Sequence, residues 1–218
     1  PVTSILLILT SLVFALMFLS YGFQYSSSEA LYHFGAVHGY TIQAMPEQFW
    51  RVFAAIFIHI GLEHFVVNML TLYFLGRQIE AIFGSWKFLI LYLMSGVMGN
   101  LFVVYFSPNS LAAGASTALF GLFASVVVLR FATRNYYLQQ LGQSYMSLLA
   151  VNLVMSFLPG ISLAGHLGGL VGGALGAVII PVSGERYAFS KTQRFLALAA
   201  YLGLAAILIF LTFQRPIF

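Results

Sequence analysis

Seven long apolar runs dominate the sequence and limit what the chain can fold into. A helix needs about 20 apolar residues to cross roughly 30 Å of hydrocarbon. Hydrophobic residues make up 61% of the chain and charged residues 6%, against roughly 25% charged residues in an average soluble domain. The sequence therefore predicts an all-α polytopic membrane protein. The predicted spans lie near 4–23, 62–81, 86–106, 114–133, 144–158, 164–181 and 194–213.

The basic residues predict how these spans are oriented. The connections that follow the second, fourth and sixth spans lie on one side of the membrane, and they hold most of the lysines and arginines. Because positive residues are enriched in cytoplasmic loops, we expect a cytoplasmic N-terminus, with the C-terminus and the long connection 24–61 outside. The expected location is the plasma membrane of a bacterium. The residues concerned are Arg77, Lys87, Arg130, Arg134, Arg186, Lys191 and Arg194.

Several classes of chemistry are disfavoured by composition. The chain has no cysteine, which excludes thiol catalysis and disulfides. Its basic residues are scattered rather than gathered into a stripe, so no nucleic acid is expected. His59 and His64 lie near Glu63, but their i, i+5 spacing spreads them around a helix, and no H-E-x-x-H motif is present. We therefore expect neither a metal nor a cofactor.

Polar side chains inside spans are costly and indicate function. They occur at the start of the second span (His64 and Asn68), the fourth (Ser116) and the sixth (His166). These three spans run in the same direction, so their first turns lie in the same leaflet. Four polar residues that are distant in sequence are thus predicted to share one depth.

Helical spacing refines this site. His64 and Asn68 are four residues apart and project from one helix face. His166 shares its face with Gly169 and Gly173, whose small size lets a neighbouring helix approach closely. If that neighbour is the fourth span, Ser116 comes within hydrogen-bond reach of His166.

Such a pair points to nucleophilic catalysis. A serine needs an adjacent base to become nucleophilic, and His166 fits that role. The chain has no aspartate, and none of its glutamates is convincingly placed beside His166, so we predict a dyad rather than a triad. Phe120, one turn from Ser116, is expected to support the imidazole by packing. The backbone N–H of Ser116 and the side chains of His64 and Asn68 are candidate oxyanion donors.

Five motifs in order resemble those of the rhomboid intramembrane serine proteases, over nearly the whole chain. They are FWR at 49–51, HIGLEHFVVN at 59–68, the pattern Gly76, Glu80 and Gly84, GAST at 114–117 and GHLGGLVGG at 165–173. The resemblance implies Ser116 as nucleophile, His166 as general base, and an oxyanion region formed by His64, Asn68 and Gly114 with the Ser116 N–H.

The resemblance also implies a fold and a substrate class. It implies a six-helix core with a water-filled cavity open to the outside, and single-pass transmembrane proteins as substrates. We accordingly expect residues 1–181 to form a catalytic membrane core within the lipid bilayer. Residues 182–218 would form a cytoplasmic connection and a seventh, C-terminal transmembrane helix.

Two alternatives remain open from the sequence. A transporter would show an internal repeat with interrupted helices, and none is found. A catalytically weak or silent rhomboid-like protein that binds membrane helices is favoured by one feature, Thr117. The family usually has glycine there, and a β-branched side chain could narrow the cavity or alter how the oxyanion is met.

Overall fold

The computed structural model describes residues 1–182 and 188–216, and these residues are mostly α-helical. The described part contains no β-strand beyond an isolated antiparallel bridge between Val37 and Ala112. The prediction of an all-α membrane protein is confirmed. The helices are α1 (Val2–Tyr21), α2 (Ser28–Phe34), α3 (Gly39–Ala44), α4 (Arg51–Ala54), α5 (Leu62–Thr71), α6 (Arg77–Phe83), α7 (Ser85–Phe106), α8 (Ser116–Ala132), α9 (Tyr136–Met155), α10 (Leu163–Ile179) and α11 (Lys191–Gln214).

Three helical segments are long and apolar enough to cross a membrane: Val2–Gln24, Ser85–Phe106 and Lys191–Gln214. The segments Pro46–Phe57 and Leu62–Phe83 form a pair bent by 74°, which adds a fourth if the pair is one span. Helices α8 and α10 are apolar but have only 17 residues each. The chain is thus polytopic, and the number of seven spans stays a prediction.

The second and fifth predicted spans differ from the observed helices. Between α5 and α6 the helix widens into a π-helical turn over Leu72–Gly76, and it ends at Gly84 with φ 84°. Helix α9 begins at Tyr136, earlier than the predicted start near 144, because the Asn135 side chain caps its first turn. Three glutamines between 139 and 143 lower the hydropathy there without interrupting the helix.

The long connection 24–61 is folded rather than irregular. It contains α2, α3 and α4, and Arg51 organises them from a buried position. The Arg51 guanidinium donates to the carbonyl oxygens of Tyr32 (2.5 Å) and Ala36 (3.3 Å), and it lies 4.0 Å from the centre of the Tyr32 ring. Arg51 of the FWR motif therefore ties the start of α4 to the end of α2.

Helix α8 lies at the centre of the molecule. Every residue from Thr117 to Val126 is buried, as is expected for a helix that is apolar on all sides. Helices α7, α9 and α10 surround it. The most central helix is therefore the one that begins with the candidate nucleophile Ser116.

Glycines on two faces of α10 set its distance from its neighbours. A Cβ added at Gly168 or Gly172 would lie 2.8 Å from Met98 O or 3.0 Å from Met94 O of α7, respectively. On the other face, Gly169 and Gly173 meet backbone carbonyls of α8 even more closely. Since no side chain fits at these contacts, α10 lies in backbone contact with both helices.

Glu80 fastens the start of α1 to the end of α6. Its carboxylate accepts hydrogen bonds from the backbone N–H of Val2 (2.7 Å) and Thr3 (2.9 Å), and from the hydroxyls of Thr3 (2.7 Å) and Ser85 (2.6 Å). The first N–H groups of a helix have no intrahelical partner, and a carboxylate is a favourable cap there. A buried acidic side chain thus serves as a structural tie.

Helix α11 packs on α7 and α10. The Tyr201 hydroxyl donates to Met94 O (2.9 Å), and the Arg215 guanidinium donates to Tyr105 O (2.6 Å). The Gln43 side chain donates to Arg215 O, which connects the end of α11 to the folded connection. Arg186, one of the residues used for orientation, lies outside the described residues.

Candidate active site

Ser116 and His166 meet at the start of their helices. The Ser116 Oγ lies 2.9 Å from the His166 Nε2, within hydrogen-bond distance. Ser116 is the first residue of α8, and His166 lies in the first turn of α10. The structure therefore brings together the two residues that the sequence proposed as a dyad.

The glycine contacts between α8 and α10 explain this proximity. A Cβ at Gly169 would lie only 2.0 Å from Thr117 O, and one at Gly173 only 2.0 Å from Gly121 O. Real Cβ atoms do not approach oxygen so closely, so alanine at either position would push the helices apart. The short interhelical distance is what places His166 beside Ser116.

The imidazole of His166 is held on its face and on its second nitrogen. The Phe120 ring stacks on it with centroids 3.9 Å apart and an interplanar angle of 13°. The Nδ1 atom lies 2.6 Å from the Ser156 Oγ, just after α9. The sequence analysis suggested the Phe120 contact but missed Ser156, which it included in an apolar span.

The candidate oxyanion region lies beside Ser116. Gly114 has φ +144°, a conformation that favours glycine. A Cβ there would lie 2.6 Å from the His64 Cε1 and 3.6 Å from the Ser116 Oγ, so the His64 ring is close to the nucleophile. The Asn68 amide donates one N–H to His64 O (2.7 Å), and an amide nitrogen carries a second N–H.

His59 helps to hold the segment that leads into Ser116. Its Nε2 accepts the Ala115 N–H (3.3 Å), and the Gly114 N–H donates to Ala55 O (2.9 Å). The His59 side chain is fully buried. No cluster of three metal-ligating side chains occurs in the part of the chain that the structure describes. His59 and the Ala55 carbonyl together hold the backbone at Gly114 and Ala115.

The candidate catalytic and oxyanion residues line a cavity of about 980 Å³. Its wall includes Ser116, His166, His64 and Asn68, and further polar and apolar side chains complete it. A mixture of apolar walls and a few convergent polar groups is typical of ligand-binding sites. The apolar lining residues include Leu119, Phe123, Met155 and Leu163.

Thr117 is not among the residues that line this cavity. A Cβ added at Gly99 would lie 2.6 Å from the Thr117 Cβ. A Cβ added at Gly165 would lie 3.0 Å from the Thr117 Cγ2. The threonine side chain therefore packs between α7 and α10, in space left by glycines. The Thr117 side chain is therefore not part of the cavity wall.

Comparison with known proteins identifies the family of the chain. Residues 46–183 match the family model described as the Rhomboid domain, which is more than half of the chain. The chain belongs to the rhomboid family. The apolar helices of this rhomboid chain agree with an integral membrane protein.

Relatives include both proteases and a protein named as inactive. The chain is 34% identical to Rhomboid protease GluP of Bacillus subtilis (strain 168) over 169 residues, which is 76% of this chain and 32% of GluP. It is 30% identical to Putative rhomboid protease YdcA of the same organism over 141 residues, 64% of this chain and 71% of YdcA. It is also 30% identical to Inactive RHOMBOID-like protein 8 of Arabidopsis thaliana over 149 residues, 66% of this chain and 42% of that protein.

The chain spans between about a third and about half the length of several curated relatives that it matches.

Proposed function

We propose that this rhomboid protein is an intramembrane serine endopeptidase that uses Ser116 as nucleophile and His166 as general base. The observation that carries the proposal is the 2.9 Å contact between Ser116 Oγ and His166 Nε2 at the wall of a large cavity. A serine hydroxyl in contact with a neutral imidazole is the arrangement that acyl transfer requires.

The reaction begins when Ser116 Oγ attacks the carbonyl carbon of the scissile peptide bond. His166 Nε2 takes the hydroxyl proton as the tetrahedral intermediate forms, and then delivers that proton to the leaving amine as the C–N bond breaks. The product is an acyl-enzyme on Ser116. Water then attacks the ester carbon and gives a proton to His166 Nε2, and breaking the ester bond returns the proton to Ser116 Oγ.

The negative charge of the intermediate needs donors close to Ser116. The backbone N–H of Ser116 is in the first turn of α8, where N–H groups lack intrahelical partners. His64 and the second N–H of Asn68 are available from α5 on the cavity wall. Gly114 keeps the carbonyl's approach free of a side chain. Removal of one such donor in other enzymes costs about 3–4 kcal/mol of transition-state stabilisation.

The depth of the site favours membrane-embedded substrates. Helix α8 has 17 residues, so it is about 26 Å long, shorter than the roughly 30 Å of hydrocarbon. If its C-terminal end lies at one membrane surface, Ser116 lies below the other. Single-pass transmembrane proteins, cut in or beside their spanning segment, are the substrates we propose.

We assign the cavity to the outer face of a bacterial plasma membrane. Deacylation consumes water, so the cavity must open to an aqueous side. The positive-inside rule orients the chain with a cytoplasmic N-terminus and an external C-terminus. In this arrangement residues 1–181 are the catalytic core, and 182–218 add a cytoplasmic connection and a seventh span.

Cleavage of a reconstituted single-pass substrate tests the proposal. Wild type is expected to cleave, whereas Ser116→Ala and His166→Ala are expected to lose at least about 1,000-fold in rate. Ser125→Ala is the matched control, since Ser125 lies on the same helix and its hydroxyl donates to Leu122 O. Undiminished cleavage by Ser116→Ala, or fluorophosphonate labelling that persists in it, would contradict the assignment.

The silent alternative loses its main support from the position of Thr117. The feature that favoured it was a β-branched residue beside the nucleophile. That side chain faces Gly99 and Gly165 rather than the cavity, so we expect access to Ser116 to be unobstructed.

A further inference from the structure

Ser156 is a buried polar side chain that the proposed mechanism has not used. It follows α9 directly, and only 2% of its surface is exposed. Its Oγ lies 2.6 Å from His166 Nδ1 and 2.9 Å from Asn152 O. One hydroxyl thus contacts both the imidazole and a backbone carbonyl.

The direction in which this hydroxyl points its single proton decides which ring nitrogen of His166 carries the hydrogen. A carbonyl oxygen only accepts hydrogen bonds. If the Ser156 proton pointed at Nδ1, its Oγ and Asn152 O would face each other at 2.9 Å with no hydrogen between them. If the hydroxyl donates a hydrogen bond to Asn152 O instead, the Ser156 Oγ accepts a hydrogen bond from the Nδ1–H of His166, and both contacts are satisfied.

The second arrangement is the one that catalysis needs. A neutral imidazole with its proton on Nδ1 has a lone pair on Nε2. That lone pair faces the Ser116 Oγ at 2.9 Å. The opposite tautomer would present an N–H to the nucleophile and could not accept its proton.

We propose that Ser156 is a positioning residue that fixes the catalytic tautomer of His166 and supports the imidazolium. This inference rests on the proposed function. When Nε2 receives the Ser116 proton, the Nδ1–H bond to the Ser156 Oγ becomes charge-assisted and strengthens. The Ser156 hydroxyl keeps its proton and donates it in a hydrogen bond to Asn152 O throughout. A neutral hydroxyl therefore takes the orienting place that a carboxylate has in a triad.

The contact also makes the site depend on α9. Asn152 lies in the last turn of α9 and Ser156 follows that helix directly, whereas Ser116 and His166 belong to α8 and α10. The hydrogen bond to Nδ1 is formed only while the end of α9 lies against α10. The assembled site therefore needs three helices rather than the two that carry the dyad.

Two measurements on the full chain test the role of Ser156. The first is the histidine ¹⁵N spectrum at a pH where His166 is neutral, with its signal identified by its absence from His166→Ala. The second is steady-state cleavage of the reconstituted substrate by wild type, Ser156→Ala and Ser144→Ala. Ser144 is the matched control because it lies on the same helix and donates to Gln140 O (3.2 Å) in the same i−4 manner.

We expect the Nδ1–H tautomer in the wild type and a mixed population in Ser156→Ala. We also expect kcat to fall about 10- to 100-fold in Ser156→Ala, as for a lost hydrogen bond to a charged group, with KM nearly unchanged and Ser144→Ala like wild type. An Nε2–H tautomer in the wild type overturns the proposal, and this measurement does not depend on how Ser156→Ala folds. A fall in kcat without a change of tautomer assigns Ser156 to packing and also overturns it.

The same substitutions test the dyad and the role of Ser156 separately. If Ser116→Ala still cleaves, the dyad itself is wrong. If Ser116→Ala is inactive while Ser156→Ala matches Ser144→Ala, the dyad stands and only the role of Ser156 is rejected.

Discussion

Gly169 lies so close to Thr117 that a Cβ on the glycine would be 2.0 Å from the threonine carbonyl oxygen. This contact is three residues along α10 from His166 and one residue along α8 from Ser116. The glycine thus controls the distance between the nucleophile and its base without touching either.

Gly169→Ala is expected to inactivate the protein while leaving it folded in the membrane. The methyl group forces α8 and α10 apart, and a displacement of about 1 Å from reacting geometry costs roughly 100-fold in rate. The measurement is cleavage of a reconstituted substrate, with fluorophosphonate labelling as a second reading.

Gly203→Ala is the control for this substitution. Gly203 is also a helical glycine, but a Cβ there meets nothing within 4 Å. We expect it to keep wild-type activity. Full activity in Gly169→Ala would show that the helices adjust without separating the dyad.

Thr117→Val is expected to stabilise the fold. The Thr117 hydroxyl is buried and has no hydrogen-bond partner among the residues that the structure describes, and an unsatisfied buried polar group costs about 1–3 kcal/mol. Valine keeps the shape that packs against Gly99, so we expect the free energy of unfolding to rise by about 1 kcal/mol. Unfolding in mild detergent with increasing denaturant measures this.

Thr117→Gly separates packing from catalysis at the same position. We expect activity to be retained or raised, because the side chain lies outside the cavity. We expect the free energy of unfolding to fall by about 1–2 kcal/mol through lost packing and added backbone freedom. Near-complete loss of activity would mean that the threonine has a positive role in the site.

Glu80→Ala is expected to weaken the attachment of α1. It leaves the N–H groups of Val2 and Thr3 without their carboxylate partner, and we expect a loss of roughly 2–4 kcal/mol in the free energy of unfolding. Glu47→Ala, at an exposed position, should change it by less than about 0.5 kcal/mol. Equal effects of the two substitutions would contradict the structural role of Glu80.

Single cysteines test the proposed orientation. The chain has no native cysteine, so an introduced one is the only thiol that a membrane-impermeant maleimide can label. We expect Asn109→Cys, between α7 and α8, to react in intact cells, and Tyr136→Cys, at the start of α9, to react only after permeabilisation. The reverse pattern would place the cavity on the cytoplasmic side.

Much of the site was predictable because the direction of each span indicates the membrane leaflet in which its first residues lie. Ser116 and His166 each begin a span that runs in the same direction, so a shared leaflet followed from counting spans. The same argument applies to Ser156, which lies at the end of a span running the opposite way and so reaches the same leaflet. It was overlooked because hydropathy averages a single serine into its apolar neighbours.

The sequence by itself determined the all-α membrane fold and the residue types of the site, because hydropathy, helical spacing and glycine positions are properties of consecutive residues. Only the tertiary structure decided how those residues meet. The direction of Thr117, the stacking of Phe120 on the His166 ring and the contact of Ser156 with Nδ1 depend on how α7, α8, α9 and α10 pack. Such contacts depend on the distances between helices and on the rotation of each helix about its axis. The order of residues along one helix specifies neither.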